Sequence, residues 1–431
     1  MKPFKLPDHF LMGSATAATQ IEGGDINNNW YDWCLKGKIK DGTSCIRAND
    51  HWNRYVEDIG LMKQLNHKVY RMGLEWSRIE PEKGCFDEGA VRHYRNEISL
   101  LLENGIRPLV TLHHFTHPLW FAAEGEFESS KAVEYFERYT GYVVDKLGDL
   151  VSEYITINEP NVYVTSGYFY GIWPPGKKDF RLAMKVFKNL ALCHFAAYGT
   201  IHEIRRKRGF DGKTMVGVAN HLRVFDPYSR NPLDFIAARL LQHVFQDAIM
   251  KSMTGGFLIP PVGFGAPAGR GRYCDFLGIN YYTRSAVHFK GFKDDTMPGK
   301  PRNDLGWEIY PEGLARICRH YYKKYGKPIW ITENGTCDAK DSFRTEYIYS
   351  HLREVSKLCR EGIPVERYYH WTLMDNFEWL EGESARFGLV ETDYETQKRT
   401  VRSSGDFYAE LCRENAVTQT MVDKYGQLRR E

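Results

Sequence analysis

Two glutamates in similar sequence settings stand 174 positions apart in this 431-residue chain. Glu159 follows the apolar run 154–157 within Asn-Glu-Pro-Asn, and Glu333 follows the apolar run 329–332 within Thr-Glu-Asn-Gly. Cleavage of a glycosidic bond requires two facing carboxyl groups, because one protonates the leaving oxygen while the other attacks or stabilises the sugar carbon. A single glutamate in such a place is also common as a loop cap or a surface residue. The matched pair therefore favours glycoside chemistry, provided that the fold brings both side chains together.

Other polar and aromatic side chains stand at equivalent places along the chain. Arg71 lies within the second apolar run, His113 and His114 end the third, and Asn280, followed by Tyr282, ends the sixth. The eighth run ends at Trp371 and leads to Glu378 and Trp379. Carboxyl ends of parallel strands form the active-site face of a barrel, so these residues are candidates for one site.

Eight short apolar runs alternate with longer amphipathic stretches. The predicted strands are 11–15, 69–73, 108–113, 154–157, 215–219, 276–280, 329–332 and 368–372. Helical spacing of apolar residues lies between them, for example over 93–102, 132–147, 182–204, 235–250, 314–322 and 347–358. The alternation predicts an α/β fold with a parallel sheet, and eight strands is the number that closes a (β/α)8 TIM barrel. An open, doubly wound sheet is the alternative.

Composition excludes several classes of protein. Apolar residues make up 42% and charged residues 26%, as in globular proteins, and the formal charge of +3 points to neither a nucleic-acid nor a membrane partner. No apolar run reaches the roughly 20 residues of a membrane span. Lys2 and Lys5 precede the apolar stretch 10–18 as in a signal peptide, but that stretch is too polar, and a first strand is predicted instead.

The nine cysteines include no C-x-x-C pair, which argues against a zinc site and fits a reducing cytoplasm. No metal or nucleotide motif is present, so no cofactor is expected. The Gly/Pro-rich segment 255–271 is interpreted as a loop, which makes residues 1–431 a single catalytic domain.

The order of these segments resembles glycoside hydrolase family 1, the β-glucosidase family, over nearly the whole chain. The segments that carry the resemblance are 10–23, 70–71, 75–79, 156–161, 276–283, 331–335, 375–379, 386–389 and 393–394. The resemblance implies a (β/α)8 barrel and a retaining double displacement. Glu159 would be the acid/base and Glu333 the nucleophile, with Arg71 and Tyr282 as hydrogen-bond donors to Glu333. These roles call for a raised pKa on Glu159 and an ionised Glu333.

The same resemblance implies a set of residues that bind the substrate. Trp371 would be the platform on which the sugar stacks, and Trp307 would line the leaving-group side. The positions that match polar contacts to the sugar are Gln20, His114, Asn158, Asn280, Glu378 and Trp379. Three of these residues have a plainer alternative: His114 and Trp371 as core residues, and Trp307 as a loop aromatic.

Two features narrow the expected substrate, and two others depart from the family pattern. Glu378 would repel a 6-phosphate, and Glu159 is not the glutamine of thioglucoside-cleaving relatives, so a neutral O-glycoside is expected.

Phe115 stands where the family usually has Trp, which predicts slacker selectivity for the glycone, the sugar that is released. The segment 251–273 is shorter than in the family, which predicts a wider cleft or a looser barrel wall.

The predicted function is that of a retaining exo-β-glycosidase acting on terminal β-glucosides, with β-galactosides or β-fucosides as further substrates. Its partner would be a small β-glycoside or an oligosaccharide; the sequence specifies no oligomeric state. A transglycosylating enzyme with the same chemistry is one alternative. A catalytically silent sugar-binding barrel is another.

Overall fold

A computed structural model describes residues 1–426 of the chain. Eight parallel strands close into a barrel, in which each strand pairs with the next in chain order and the last pairs with the first. The strands are β1 (Leu11–Ala15), β2 (Val69–Gly73), β3 (Arg107–Thr111), β4 (Glu153–Asn158), β5 (Met215–His221), β6 (Leu277–Asn280), β7 (Ile329–Asn334) and β8 (Val365–Trp371). All eight predicted strands are present, and the alternative of an open sheet is excluded.

Helices follow the strands in the right order to cover the outside of the barrel. They are α1 (His51–Gln64), α2 (Glu88–Glu103), α3 (Ala132–Leu147), α4 (Phe180–Arg208), α5 (Pro232–Gln242), α6 (Pro311–Tyr325), α7 (Arg344–Arg360) and α8 (Ser403–Glu414). After α5, the chain continues through a π-helical turn, His243–Asp247, into the helix Ala248–Gly255. The predicted helical patterns all fall within these bounds.

Local sequence explains where the main elements begin and how they pack. Asp87 and Asp179 cap α2 and α4, and each side chain accepts hydrogen bonds from two backbone N–H groups of the first turn. Every residue of β2 and β7 is buried, as expected for strands covered by side chains inside and helices outside. The buried strands hold the residues at their ends in fixed positions.

Shorter elements occupy the connections. The helices are Ala18–Ile21, Asn29–Leu35, Trp76–Ile79, Leu119–Ala123, Pro160–Val164 with the π-helical Thr165–Phe169, and Gln419–Tyr425, with 3-10 turns at Glu126–Glu128, Lys290–Phe292 and Trp379–Glu381. There are three small sheets. Phe4–Lys5 pairs with Ala416–Val417, Val390–Thr392 pairs with Arg399–Val401, and Arg284–Val287 lies between Val224–Pro227 and Asp294–Asp295 and pairs with both.

The prediction that the short segment 251–273 widens the cleft is wrong. This segment leads into β6, so it lies at the amino-terminal face of the barrel, away from the carboxyl ends of the strands. Thr254, Gly255, Gly271 and Arg272 line a surface cavity together with Pro328, just before β7. None of them lines the cavity at the opposite face.

Within residues 1–426, no helix combines the length and the apolar character needed to cross a membrane. All nine cysteines lie in this part of the chain, and all are free thiols.

Candidate active site

A cavity of about 300 Å³ opens at the carboxyl ends of the barrel strands. It contains Glu159 from the end of β4 and Glu333 from β7, so the fold does bring the two glutamates together. The other predicted residues that line it are His114, Asn158, Tyr282, Trp307, Trp371, Glu378 and Trp379. Arg71, Gln20 and Asn280 lie behind this wall and reach it through hydrogen bonds.

Glu333 is held at both carboxylate oxygens. Arg71 Nη1 lies 2.6 Å from Glu333 Oε1, and Tyr282 donates a hydrogen bond of 2.5 Å to Oε2. The Arg71 side chain is fully buried on β2 and is fixed by Thr111 Oγ1 at 3.0 Å and by Asn158 Oδ1 at 2.7 Å. These contacts fix the orientation of the carboxylate.

Glu159 stands at the junction of β4 and the helix Pro160–Val164. Its backbone adopts a left-handed conformation, with φ at 43°, which is uncommon for a residue with a side chain and is found chiefly where the surroundings enforce it. Asn280 Nδ2 donates to Glu159 Oε1 at 2.8 Å, and His221 Nδ1 lies 3.2 Å from the same oxygen. The carboxyl group is thus anchored through one oxygen.

The pKa values of the two glutamates depart from the expectation. Burial and the charge of Glu159 raise the pKa of Glu333 to about 7, although Arg71 and Tyr282 oppose them. Burial also raises the pKa of Glu159, but His221 and Asn280 outweigh it and bring the pKa below its ordinary value. The predicted raised pKa of Glu159 is therefore wrong for the structure, because the neighbours at Oε1 were not foreseen. Two carboxylates in one buried site share a proton, and the pair titrates as a unit.

A hydrogen-bonded network behind the glutamates connects four strands. Asn158 Oδ1 accepts from Arg71 and, at 3.1 Å, from Asn280, whose own Oδ1 accepts from Thr332 at 2.7 Å. Asn158 Nδ2 lies 2.9 Å from His114 Nε2 and can only donate, so His114 carries its proton on Nδ1. Burial lowers the pKa of His114 well below its usual range. Nδ1 has no partner among the described residues and is a donor on the cavity wall.

The opposite wall presents acceptors. Gln20 Nε2 donates to the carbonyl oxygen of Phe377 at 2.7 Å and to Glu378 Oε2 at 3.3 Å, while Gln20 Oε1 is buried without a partner in residues 1–426. Burial, followed by the charge of Glu333, raises the pKa of Glu378 to about 8. Donors and acceptors therefore face the same space, as the hydroxyl groups of a sugar require.

Aromatic rings form the rest of the enclosure. The Trp379 ring lies 4.7 Å from Trp30 and 5.2 Å from Phe115, whose ring is 5.0 Å from Trp173. Trp307 packs edge-on to Tyr282 at 5.8 Å on the other side of the opening. Trp307 does lie in a loop and Trp371 is buried in the core, as the plainer alternatives had it, but both residues also line the cavity.

Two histidines that neighbour the site in sequence lie outside it. His113 is buried among Phe127, Phe136 and Tyr163, and its ring is stacked 5.8 Å from that of His117. Neither histidine lines the cavity.

Sequence analysis missed His221, Arg223 and Trp173, which all line the cavity. The predicted fifth strand ends at residue 219, whereas β5 extends to His221. The rule that polar residues at strand ends belong to the site would have found His221 had the strand been given its full length.

Comparison with known proteins supports the assignment of the fold and the chemistry. A family model described as glycosyl hydrolase family 1 matches residues 2–256 and 272–417, which leaves out most of the segment before β6. The chain belongs to glycosyl hydrolase family 1. This family 1 chain is therefore a glycoside hydrolase.

Individual relatives extend over almost the full chain. A β-glucosidase A from Thermotoga maritima is 32% identical, covering 96% of this chain and 99% of the relative. A β-galactosidase from Sulfolobus acidocaldarius is 29% identical, covering 96% of each protein. The solved structure of a β-glycosidase from Pyrococcus horikoshii superposes with a TM-score of 0.91 at 36% identity, covering 99% of each chain.

Proposed function

We propose that this glycoside hydrolase is a retaining exo-β-glycosidase in which Glu333 is the nucleophile and Glu159 the acid/base. The observation that carries the proposal is the different fixing of the two carboxyl groups in one cavity. Both oxygens of Glu333 are held in place, whereas Glu159 receives both of its donors on Oε1. A nucleophile needs a fixed direction of attack, and an acid needs one oxygen for the leaving group.

In the first step, the Glu333 carboxylate attacks the anomeric carbon while Glu159 gives its proton to the departing oxygen. The glycosidic bond breaks, its electron pair stays on that oxygen, and an ester to Glu333 forms. Formation of the ester removes the negative charge of Glu333, which had disfavoured ionisation of Glu159. Glu159 is then stable as a carboxylate and can take a proton from water. The water then releases the sugar with its original anomeric configuration.

The proton shared by the pair must reside on Glu159 in the active complex. Burial and mutual repulsion keep one proton on the pair near neutral pH. Arg71 and Tyr282 favour the charged form of Glu333 in the microstate that reacts, because both donate hydrogen bonds to its oxygens.

The glycone is proposed to be a neutral sugar with free hydroxyl groups. His114, Glu378 and Trp371 line the cavity, where His114 Nδ1 offers a donor and Glu378 an acceptor, and the unpartnered acceptor Gln20 Oε1 lies behind Glu378. The relatives named β-glucosidase and β-galactosidase support β-glucosides and β-galactosides as substrates. A cytoplasmic location is a further proposal, supported by nine unpaired cysteines.

Chromogenic β-glucosides test the activity, and azide rescue separates the two roles. Glu333→Gly should lose several orders of magnitude in turnover, and azide should restore it with an α-glycosyl azide as product, since the anion attacks from the vacated face. Glu159→Ala with azide should give the β-glycosyl azide instead. No release of sugar by the wild-type protein would overturn the proposal, and a β product from Glu333→Gly would remove Glu333 from its role. Product analysis at high acceptor concentration distinguishes hydrolysis from transglycosylation.

A further inference from the structure

An arginine reaches the candidate acid/base through a histidine. His221, the last residue of β5, lies with Nδ1 3.2 Å from Glu159 Oε1. Its other nitrogen, Nε2, lies 3.1 Å from Arg223 Nη2 and 3.3 Å from Arg223 Nε. The imidazole is clamped between the face of Tyr282, at 5.8 Å, and the edge of Phe245, at 5.9 Å.

Arg223 is itself anchored. Its Nη1 donates to Asp294 Oδ2 at 2.9 Å and to Ser285 Oγ at 3.1 Å, and its backbone N–H and carbonyl oxygen both bond to the Gln246 amide. The guanidinium therefore presents Nε and Nη2 to His221 from a fixed position.

These contacts select one tautomer of His221. A guanidinium has N–H donors and no acceptor, so the nitrogen that faces Arg223 must accept and carries no proton. The proton of the imidazole is then on Nδ1, which donates to Glu159 Oε1. With the opposite tautomer, Nδ1 would be an acceptor and would compete for the acidic proton of Glu159.

We propose that Arg223 and His221 are positioning residues that keep the reactive proton of Glu159 on Oε2. Two donors, His221 Nδ1 and Asn280 Nδ2, occupy Oε1. No hydrogen bond within residues 1–426 is made by Oε2, so this oxygen carries the proton and delivers it to the leaving group. In the second step, the attacking water gives its proton to the same oxygen as the ester to Glu333 breaks. This inference rests on the proposed function and deepens it.

The other ionisable groups around Glu159 do not replace this arrangement. Glu333 shares the proton, Arg71 and Tyr282 contact Glu333, and His114 bonds to Asn158. Only His221, among the ionisable side chains of the described residues, is within hydrogen-bond distance of Glu159.

The test compares two β-glucosides in Arg223→Met. A dinitrophenyl glucoside needs little protonation of its leaving group, whereas an alkyl glucoside needs a full proton transfer. We expect kcat/KM to fall about tenfold or more on the alkyl glucoside and less than about threefold on the dinitrophenyl glucoside. Arg223→Lys, which keeps a donor, should recover part of the loss. Arg316→Met is the matched control, because Arg316 also pairs with an aspartate, Asp226, but does not contact His221.

A double-mutant cycle of Arg223 and His221 and a ¹⁵N NMR spectrum provide two further tests. His221→Asn should make Arg223→Met nearly silent on the ratio of the two substrates, because Arg223 acts through His221. In the wild-type protein, ¹⁵N NMR should show His221 protonated on Nδ1.

Equal losses on both glucosides, a full effect of Arg223→Met in the His221→Asn background, or a wild-type Nε2–H tautomer would each overturn the inference. If Arg223→Met does not fold, the wild-type tautomer and His221→Asn still decide. Failure of the proposed function would instead appear as a wild-type protein that hydrolyses neither glucoside.

Discussion

Tyr282 donates a 2.5 Å hydrogen bond to Glu333 Oε2, the carboxylate oxygen that is not bound by Arg71. Tyr282 follows β6 and Glu333 lies on β7, so neighbouring strands of the barrel place the two side chains together. The contact places a neutral, buried donor on the carboxylate that attacks the sugar in the proposed mechanism.

The first prediction concerns this contact. Tyr282→Phe removes the donor and little volume, and we expect kcat/KM on an aryl β-glucoside to fall about 10- to 100-fold. A hydrogen bond to a charged group is worth about 1.5–3 kcal/mol, and about 1.36 kcal/mol corresponds to tenfold in rate. Tyr281→Phe is the control, since its hydroxyl donates to the Tyr310 carbonyl oxygen at 2.7 Å and does not line the cavity. Equal effects of the two substitutions would contradict the role of Tyr282.

The second prediction concerns the titration of the glutamate pair. The charge of Glu159 disfavours the ionised form of Glu333 and is one cause of its pKa near 7. Glu159→Gln removes that charge, so the pKa of Glu333 should fall below about 7. Titration of ¹³C-labelled glutamate carboxyl groups by NMR measures it directly. An unchanged or higher pKa in Glu159→Gln would show that the two groups do not share a proton.

The third prediction concerns selectivity for the glycone. Phe115 is buried on the cavity wall and offers no donor, and His117, two residues further along the chain, lies outside the cavity. We expect glucosides and galactosides or fucosides to be turned over within about tenfold of one another. Phe115→Trp adds an indole N–H and should change the ratios of kcat/KM among these sugars. Changes of less than about twofold, roughly 0.4 kcal/mol, would show that residue 115 does not set selectivity.

The fourth prediction concerns Gly335, directly after β7. A Cβ at this position would lie 1.7 Å from the Trp371 carbonyl oxygen, so Gly335→Ala must push the ends of β7 and β8 apart. We expect a loss of about 1–3 kcal/mol in the free energy of unfolding, with a parallel loss of activity because Glu333 and Trp371 move. Thermal unfolding and aryl glucoside hydrolysis measure both effects.

Gly60 provides the control for this substitution. It lies on the exposed face of α1, and apart from the neighbouring helix backbone no atom lies within 4 Å of its added Cβ. Gly60→Ala should stabilise the protein by up to about 1 kcal/mol, because alanine is the better helix former. A loss of stability as large as that of Gly335→Ala would contradict the steric explanation.

The sequence by itself determined where the eight barrel strands lie and that Glu159 and Glu333 stand at strand ends. Strands such as β2 and β7 are buried on both faces, so their apolar character is visible without the fold. The motifs around Glu159 and Glu333 are local, and each residue stands at a strand end that the pattern locates. Parallel strands then carry these residues to one face by topology alone.

Only the tertiary structure decided what surrounds each glutamate. His221 and Asn280 reach Glu159 from β5 and β6, and they lower a pKa that the sequence predicted to be raised. The segment 251–273 was predicted to widen the cleft or loosen the barrel wall, because its length, but not its face of the barrel, is visible in the sequence. Contacts between strands depend on register and on where side chains point, neither of which the sequence shows. The pKa of a buried carboxyl group follows such contacts at distances of about 3 Å.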